Sequence, residues 1–140
     1  MSKKSAAIAA RIDEFRGGRY DAHYLGYFEC FNRQLFYEAH DVLEELWLGQ
    51  RQGPKGAFYR GLIQLAGAFV HLQKQRLRPA AALFKLAESN LRGYAATYES
   101  LEVNQVLQLI SDWQQRLESS QFTANPLKTD PPPRLLLTGL

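Results

Sequence analysis

The sequence LFYEAHDVLEELWL at residues 35–48 decides the fold, because its apolar residues recur with the period of an α-helix. At 100° per residue, Leu43 and Trp47 each lie within about 20° of Phe36 on one face. The sequence GAFYRGLIQLAGAFVHLQKQ at residues 56–75 is apolar around most of a helix, which is typical of a central, largely buried one. The short loop between the two predicts antiparallel neighbours.

Helical periodicity covers most of the remaining chain up to residue 121. It predicts further helices at about residues 5–16, 21–31, 79–100 and 104–119. No stretch alternates apolar and polar residues as a half-buried strand does. The sequence therefore predicts an all-α fold, a single-domain multihelical bundle of five to six helices over residues 1–121.

Residues 122–140 are predicted to form an extended Pro-rich C-terminal tail. Pro126 and the three prolines at 131–133 exclude a helix at these positions and favour polyproline geometry. The three leucines at 135–137 are too apolar to remain loose in solvent. We therefore expect the tail to pack in a groove of the bundle or on a neighbouring subunit.

Length, cysteine content and hydropathy favour a soluble cytoplasmic protein. A chain of 140 residues builds one domain with its own core. Its one cysteine, Cys30, forms no internal disulfide, which fits a reducing compartment. The N-terminus lacks the apolar region of a signal peptide, and the longest apolar stretch, residues 62–72, is too short and too polar to cross a membrane.

The net charge of +3 is distributed in segments of opposite sign. Residues 21–50 contain six acidic side chains and one basic one, whereas residues 51–94 contain eight basic and one acidic. Because adjacent segments neutralise each other in a compact domain, we do not expect nucleic acid as a partner. A basic turn with Lys74, Arg76 and Arg78 has the composition of a phosphate site, although such clusters are commonly solvated helix-end charge.

Four polar side chains are predicted to point toward the core. His40 lies about 40° from Phe36, inside the apolar face of the 35–48 helix, and Glu44 lies one turn later at its edge. Gln64 and His71 lie seven residues apart on one stripe of the 56–75 helix. On the 35–48 helix, Glu38, Asp41 and Glu45 are predicted to face solvent.

Three interpretations of these inward residues stay open. In the first interpretation they form a buried polar network that fixes helix packing, since buried histidine and glutamine need hydrogen-bond partners. Alternatively, His40, Glu44 and His71 are the ligands of a metal site, with Gln64 hydrogen-bonded behind them. The third interpretation is a metal-free pocket for a small polar ligand.

The sequences FNRQLFYEAHDVLEELW at 31–47 and FYRGLIQLA at 58–66, followed by His71, resemble the domain of unknown function 309 family of bacteria and archaea. The resemblance runs over about residues 24–98. It implies a small, cytoplasmic, all-helical bundle without an established activity. The family's signature positions correspond here to Glu38, His40, Asp41, Glu44, Trp47, Gly61, Gln64 and His71.

Two turns depart from the family's pattern. Gln34 stands where the family usually has glycine, and residues 76–79 stand where it often has Gly-Asn. These changes concern turn geometry and leave the polar residues intact. They argue against a glycine-rich ligand loop between the 56–75 helix and the next.

The sequence favours a structural or partner-binding module, and it contains no complete catalytic motif. The alternative is a metal-dependent or acid/base enzyme, hydrolase-like, acting on a small polar substrate at the inward residues. A divalent metal is the one cofactor that the pattern suggests. A homo-oligomer stays open, whereas nucleic acid and membranes are not expected as partners.

Overall fold

The computed structural model describes residues 20–139, which form six helices and one short β-hairpin. This architecture confirms the predicted all-α fold, while the helix predicted at residues 5–16 lies outside the described residues. The elements are α1 (Ala22–Asn32), α2 (Phe36–Gln50), α3 (Gly56–Gln73), α4 (Leu77–Leu91), β1 (Thr97–Tyr98), β2 (Leu101–Glu102), α5 (Val103–Ser119) and α6 (Pro126–Thr129).

Helix α3 is the centre of the fold, as its continuous apolar pattern predicts. It packs against α2 on one side and α4 on the other, and α1 packs against α2. Its core residues are fully buried, among them Phe58, Leu62, Leu65, Phe69 and Leu72. Burial of a side chain of this size stabilises the fold by about 1.5–3 kcal/mol, so α3 carries much of the hydrophobic stabilisation.

A left-handed residue ends α1 and allows the chain to reverse into α2. Gln34 has φ 66°, and its N–H donates to the carbonyl of Phe31 at 2.9 Å. The next N–H, from Leu35, donates to the carbonyl of Cys30 at 2.9 Å. Glycine adopts this conformation at no steric cost, so the backbone at Gln34 is one that glycine would also suit.

The prediction of a helix reaching residue 100 is wrong, because α4 ends at Leu91. A two-stranded antiparallel hairpin follows, in which Tyr98 lies on β1 rather than on a helix. Both residues of its turn, Glu99 and Ser100, have positive φ, as two-residue hairpin turns require. Tyr24 stabilises the turn by donating its hydroxyl to the carbonyl of Glu99 at 2.8 Å. Strands of two residues are too short to show alternation in the sequence.

The exclusion of a helix at Pro126 is also wrong, since Pro126 begins α6. Proline is compatible with the first helical position because its missing N–H has no helical partner there. Asn125 caps this helix by accepting a hydrogen bond from the N–H of Leu127 at 3.0 Å. Beyond α6 the backbone through residues 131–136 has no regular secondary structure, in line with the predicted extended tail.

The last described residues contact the bundle of their own chain. Asn32 holds buried Leu135 through two hydrogen bonds of 2.7 and 2.8 Å to its backbone. Leu137 pairs with Leu101 in an isolated antiparallel bridge. The division into a bundle over 1–121 and a tail over 122–140 stays a prediction. None of the described helices combines the length and the apolar character that a membrane span requires.

Candidate functional site

A cavity of about 230 Å³ lies between α2, α3 and α4. His40 on α2 and Gln64 and His71 on α3 line it, so the structure brings together three of the four predicted inward residues. The fourth, Glu44, does not line the cavity. Helix α3 supplies two polar residues on one side because positions seven apart lie two turns apart on the same helix face.

The remaining wall of the cavity is largely apolar. Ile63 and Val70 from α3 and Leu83 from α4 surround Gly67, which has no side chain to occupy the space. A Cβ atom at Gly67 would lie 3.0 Å from Cδ1 of Leu83, so a side chain at this position would occupy part of the cavity beside Leu83. The cavity therefore combines an apolar wall with a polar side.

The Nδ1 atoms of His40 and His71 are buried without a hydrogen-bond partner in the described part of the chain. The Asp41 carboxylate comes nearest to His40, with 3.5 Å between Nδ1 and Oδ1, which is too long for a good hydrogen bond. Buried polar atoms in a network that fixes packing are paired in the great majority of cases. Both unpaired atoms belong to residues that line the same cavity.

Gln64 is held in place by a residue that the sequence analysis missed. Asn90 of α4 donates a hydrogen bond from Nδ2 to Oε1 of Gln64 at 2.7 Å. This bond occupies the carbonyl end of the Gln64 amide and leaves its NH₂ group to donate elsewhere. The contact joins residues 26 positions apart on different helices, so no local pattern signals it.

Tyr37 is a second site residue that the sequence analysis missed. Its ring lies parallel to that of His40, with 6.3 Å between centroids and 11° between planes, and it lines the cavity although it is half exposed. Tyr37 lies on α2 one turn before Asp41 and beside Glu38. This sequence context does not distinguish it from a tyrosine on a solvent-exposed helix face. Tyr37 becomes part of the cavity wall because α3 and α4 pack close to α2.

Asp41 is buried at 5% exposure, so the prediction that it faces solvent is wrong. Val42 beside it is also fully buried, which means that α2 is covered around more of its circumference than its amphipathic pattern predicts. One ligand atom each from His40, Asp41 and Glu44 lies within 4.8 Å of the others, and His71 is not part of this group. We call these three residues the α2 cluster.

Glu38 and Trp47, like the signature residues Asp41, Glu44 and Gly61, lie outside the cavity. Glu38 is partly buried in the first turn of α2, where a negative charge interacts favourably with the helix dipole. Trp47 is partly buried near the end of α2 and packs against the hydrophobic core. Their positions favour roles in the stability and packing of α2.

The pKa of His71 is lowered from its ordinary value. Burial is the largest cause, because it disfavours the charged imidazolium, and the positive charges of Arg76 and Lys74 lower the pKa further. His71 is consequently neutral at pH 7, with one ring nitrogen as a donor and the other as an acceptor. A neutral ring suits hydrogen bonding to a ligand.

The NMR titration of the His71 ring is expected to give a pKa below about 6.5, and Arg76→Ala is expected to raise it toward that value. As the pH falls below about 6.5, the unfolded chain binds the proton before folded His71 does. The wild type should therefore lose stability relative to His71→Leu over that interval and not above it. Lys85→Ala, which removes an exposed cation of α4 that does not contribute to the shift, is the control and should leave the His71 pKa unchanged. An unshifted pKa in the wild type would contradict the burial of this ring.

Residues 24–83 match the model of a family described as Domain of unknown function (DUF309). The match confirms the resemblance seen in the sequence, although it ends at residue 83 and not near residue 98. It covers α1 to α3 and the first part of α4, and it includes all eight signature positions. No curated protein and no solved structure shows significant similarity to the chain.

Proposed function

We propose that the protein is a binding module that holds a small molecule in the cavity between α2, α3 and α4. The unpaired Nδ1 atoms of His40 and His71 are the observation that carries this proposal. An unsatisfied buried polar group costs about 1–3 kcal/mol, and a bound molecule with its own polar group offsets that cost. A cluster that served only helix packing is expected to pair such atoms within the protein.

The shape and the chemistry of the wall restrict the occupant. A volume of about 230 Å³ is below the roughly 300–1,000 Å³ typical of drug-sized ligands, so the occupant is a small molecule. Ile63, Val70 and Leu83 suit an apolar body. The Gln64 NH₂ group and a neutral His71 suit a hydroxyl or carboxylate group. We therefore propose a small amphipathic molecule with one polar end.

Benzyl alcohol and benzoate, used as probes, are expected to shift the ¹H–¹⁵N and histidine-ring resonances around the cavity, with Kd on the order of 1 mM. His71→Leu keeps the side-chain volume and removes the polar atoms, so we expect it to weaken probe binding about tenfold. His23→Leu is the matched control, because His23 lies at the start of α1, bound to Asp21 and Glu45, and does not line the cavity.

The same variant separates binding from a structural role of the polar residues. If His71 serves only packing, His71→Leu lowers the thermal stability. If it serves binding, the ligand-free variant is as stable as the wild type or more stable, because an unpaired polar atom has been replaced by an apolar group. Probes that shift no cavity resonance at about ten times the expected Kd would refute the binding module.

The α2 cluster supports a divalent metal site as a second candidate. Imidazole and carboxylate are common zinc ligands, with metal–ligand distances of about 2.0–2.2 Å, so small side-chain rotations would bring the three groups to one ion. This arrangement favours Asp41 in place of His71 as the third ligand beside His40 and Glu44. Such a metal would activate water for hydrolysis, as the enzyme alternative requires.

Titration with Co²⁺ tests the metal candidate through its visible absorption spectrum. We expect a one-to-one complex in the wild type, and at least about tenfold weaker binding in Glu44→Gln. Glu45→Gln is the control, because Glu45 is the next residue on α2 and lies outside the cluster. Equal Co²⁺ binding by Glu44→Gln and the wild type would remove the metal site from consideration.

A further inference from the structure

A second cleft, of about 620 Å³, lies between the turn that joins α3 to α4 and the segment 122–128. Arg76 and Arg78 line one side and Lys128 lines the other, and none of the described residues that line the wall is acidic. We call this feature the basic cleft. The basic turn 74–78 is evident from the sequence. The contribution of Lys128 is not, because Lys128 lies about fifty residues further along the chain.

The three cations of the basic cleft have no acidic partner in the described part of the chain. All three are exposed, and none forms an ion pair within residues 20–139. The nearest acidic residue in sequence to Lys128 is Asp130, and its carboxylate is bound by Arg116 of α5. Like charges gathered at one place repel one another, and a bound anion relieves that repulsion.

The two sides of the cleft are held in a defined position. Asn125 is buried, and its Nδ2 donates to the carbonyl of Leu72 at 2.6 Å and to Oε1 of Gln75 at 2.9 Å. These bonds fasten the segment before α6 to the end of α3. The guanidinium of Arg78 lies 4.4 Å from the centre of the Phe122 ring, a cation–π contact that orients the guanidinium. A site that is already ordered loses less entropy when it binds a ligand.

We infer that the basic cleft binds a small molecule that carries two or more phosphate groups. Guanidinium groups match phosphate oxygens with paired hydrogen bonds, and an ammonium group from the opposite side adds a point charge. Three cations that converge on one cleft suit a compact anion. A nucleic acid needs a longer basic track, whereas the neighbouring helix α5 exposes the acidic Asp112 and Glu118.

Isothermal titration calorimetry with inorganic pyrophosphate at low ionic strength tests this inference on the full chain. We expect measurable binding that weakens as salt is added. Arg78→Gln and Lys128→Gln are each expected to weaken it about tenfold, because hydrogen bonds to charged groups are among the stronger ones. Lys85→Gln is the matched control, since Lys85 is an exposed cation on α4 outside the cleft, and it should bind pyrophosphate like the wild type.

Two kinds of result would overturn the inference. The first is no heat of binding with pyrophosphate at low salt, or equal binding by Lys128→Gln and the wild type. The second is tighter binding of a single-stranded oligonucleotide than of pyrophosphate, with the same loss in the variants, which would assign the cleft to nucleic acid. Lys128→Gln alters one exposed side chain on a four-residue helix, so its loss of binding would not reflect unfolding.

Discussion

Replacing Phe69 with alanine is expected to lower the free energy of unfolding by about 3–5 kcal/mol, the largest loss at any single position considered. Phe69 is fully buried in the C-terminal half of α3. Its ring contacts one aromatic ring from each of four other helices, α1, α2, α4 and α5, which are Phe31, Phe36, Phe84 and Trp113. Alanine would leave a cavity that none of these helices closes without losing its own packing.

Urea denaturation measures this loss as a lower midpoint with little change in slope. Tyr37→Ala is the matched control, because it removes an aromatic ring of nearly the same size from a half-exposed position on α2. We expect the control to lose no more than about 1 kcal/mol. A loss of that small size for Phe69→Ala would mean that the five helices do not share one core.

Alanine at Gly61 is expected to have the second-largest effect, a loss of about 1–3 kcal/mol. A Cβ atom there would lie 2.7 Å from Cγ of Leu91 and 3.3 Å from the carbonyl oxygen of Ala87, both on α4. Leu91 is fully buried, so its branch point has no free space to move into. The clash outweighs the gain of up to about 1 kcal/mol that alanine normally brings within a helix.

Gly67→Ala is the control for this effect, because Gly67 lies on the same helix and faces α4 as well. Among the described residues its Cβ would meet only Cδ1 of Leu83 at 3.0 Å, and that end of a partly exposed side chain is able to rotate. We expect thermal denaturation to show unchanged or higher stability. The added methyl group would also enter the cavity and weaken binding of the probes. Equal losses of stability at both glycines would contradict the close approach of α4 at Gly61.

Periodicity in the sequence identified three polar residues that line the candidate cavity. His40 falls on the apolar face of α2, and Gln64 and His71 fall on one stripe of α3. These placements depend only on the 100° turn per residue, which is the same in every α-helix. A loop of a few residues then makes two such helices neighbours, so the polar residues of both were expected to meet.

The same reasoning failed where local rules did not apply. Asp41 lies opposite the apolar face of α2 and is nevertheless buried, because packing covers α2 on more than one side. The segment after Leu91 continues the helical pattern as far as Tyr98 but forms a hairpin, whose turn is stabilised by a hydrogen bond from Tyr24. That contact joins residues 75 positions apart, so no local sequence pattern indicates it.

The order of residues along this chain is therefore enough to establish the helical class, the central position of α3 and the face on which each polar residue lies. The sequence order does not establish which polar atoms form hydrogen bonds or ion pairs with one another. The pairing of Asn90 with Gln64, the unpaired nitrogens of His40 and His71, and the approach of Lys128 to the 74–78 turn all depend on how separate helices pack. Helical geometry is local and common to all helices, whereas distances between helices follow from the packing of the whole core.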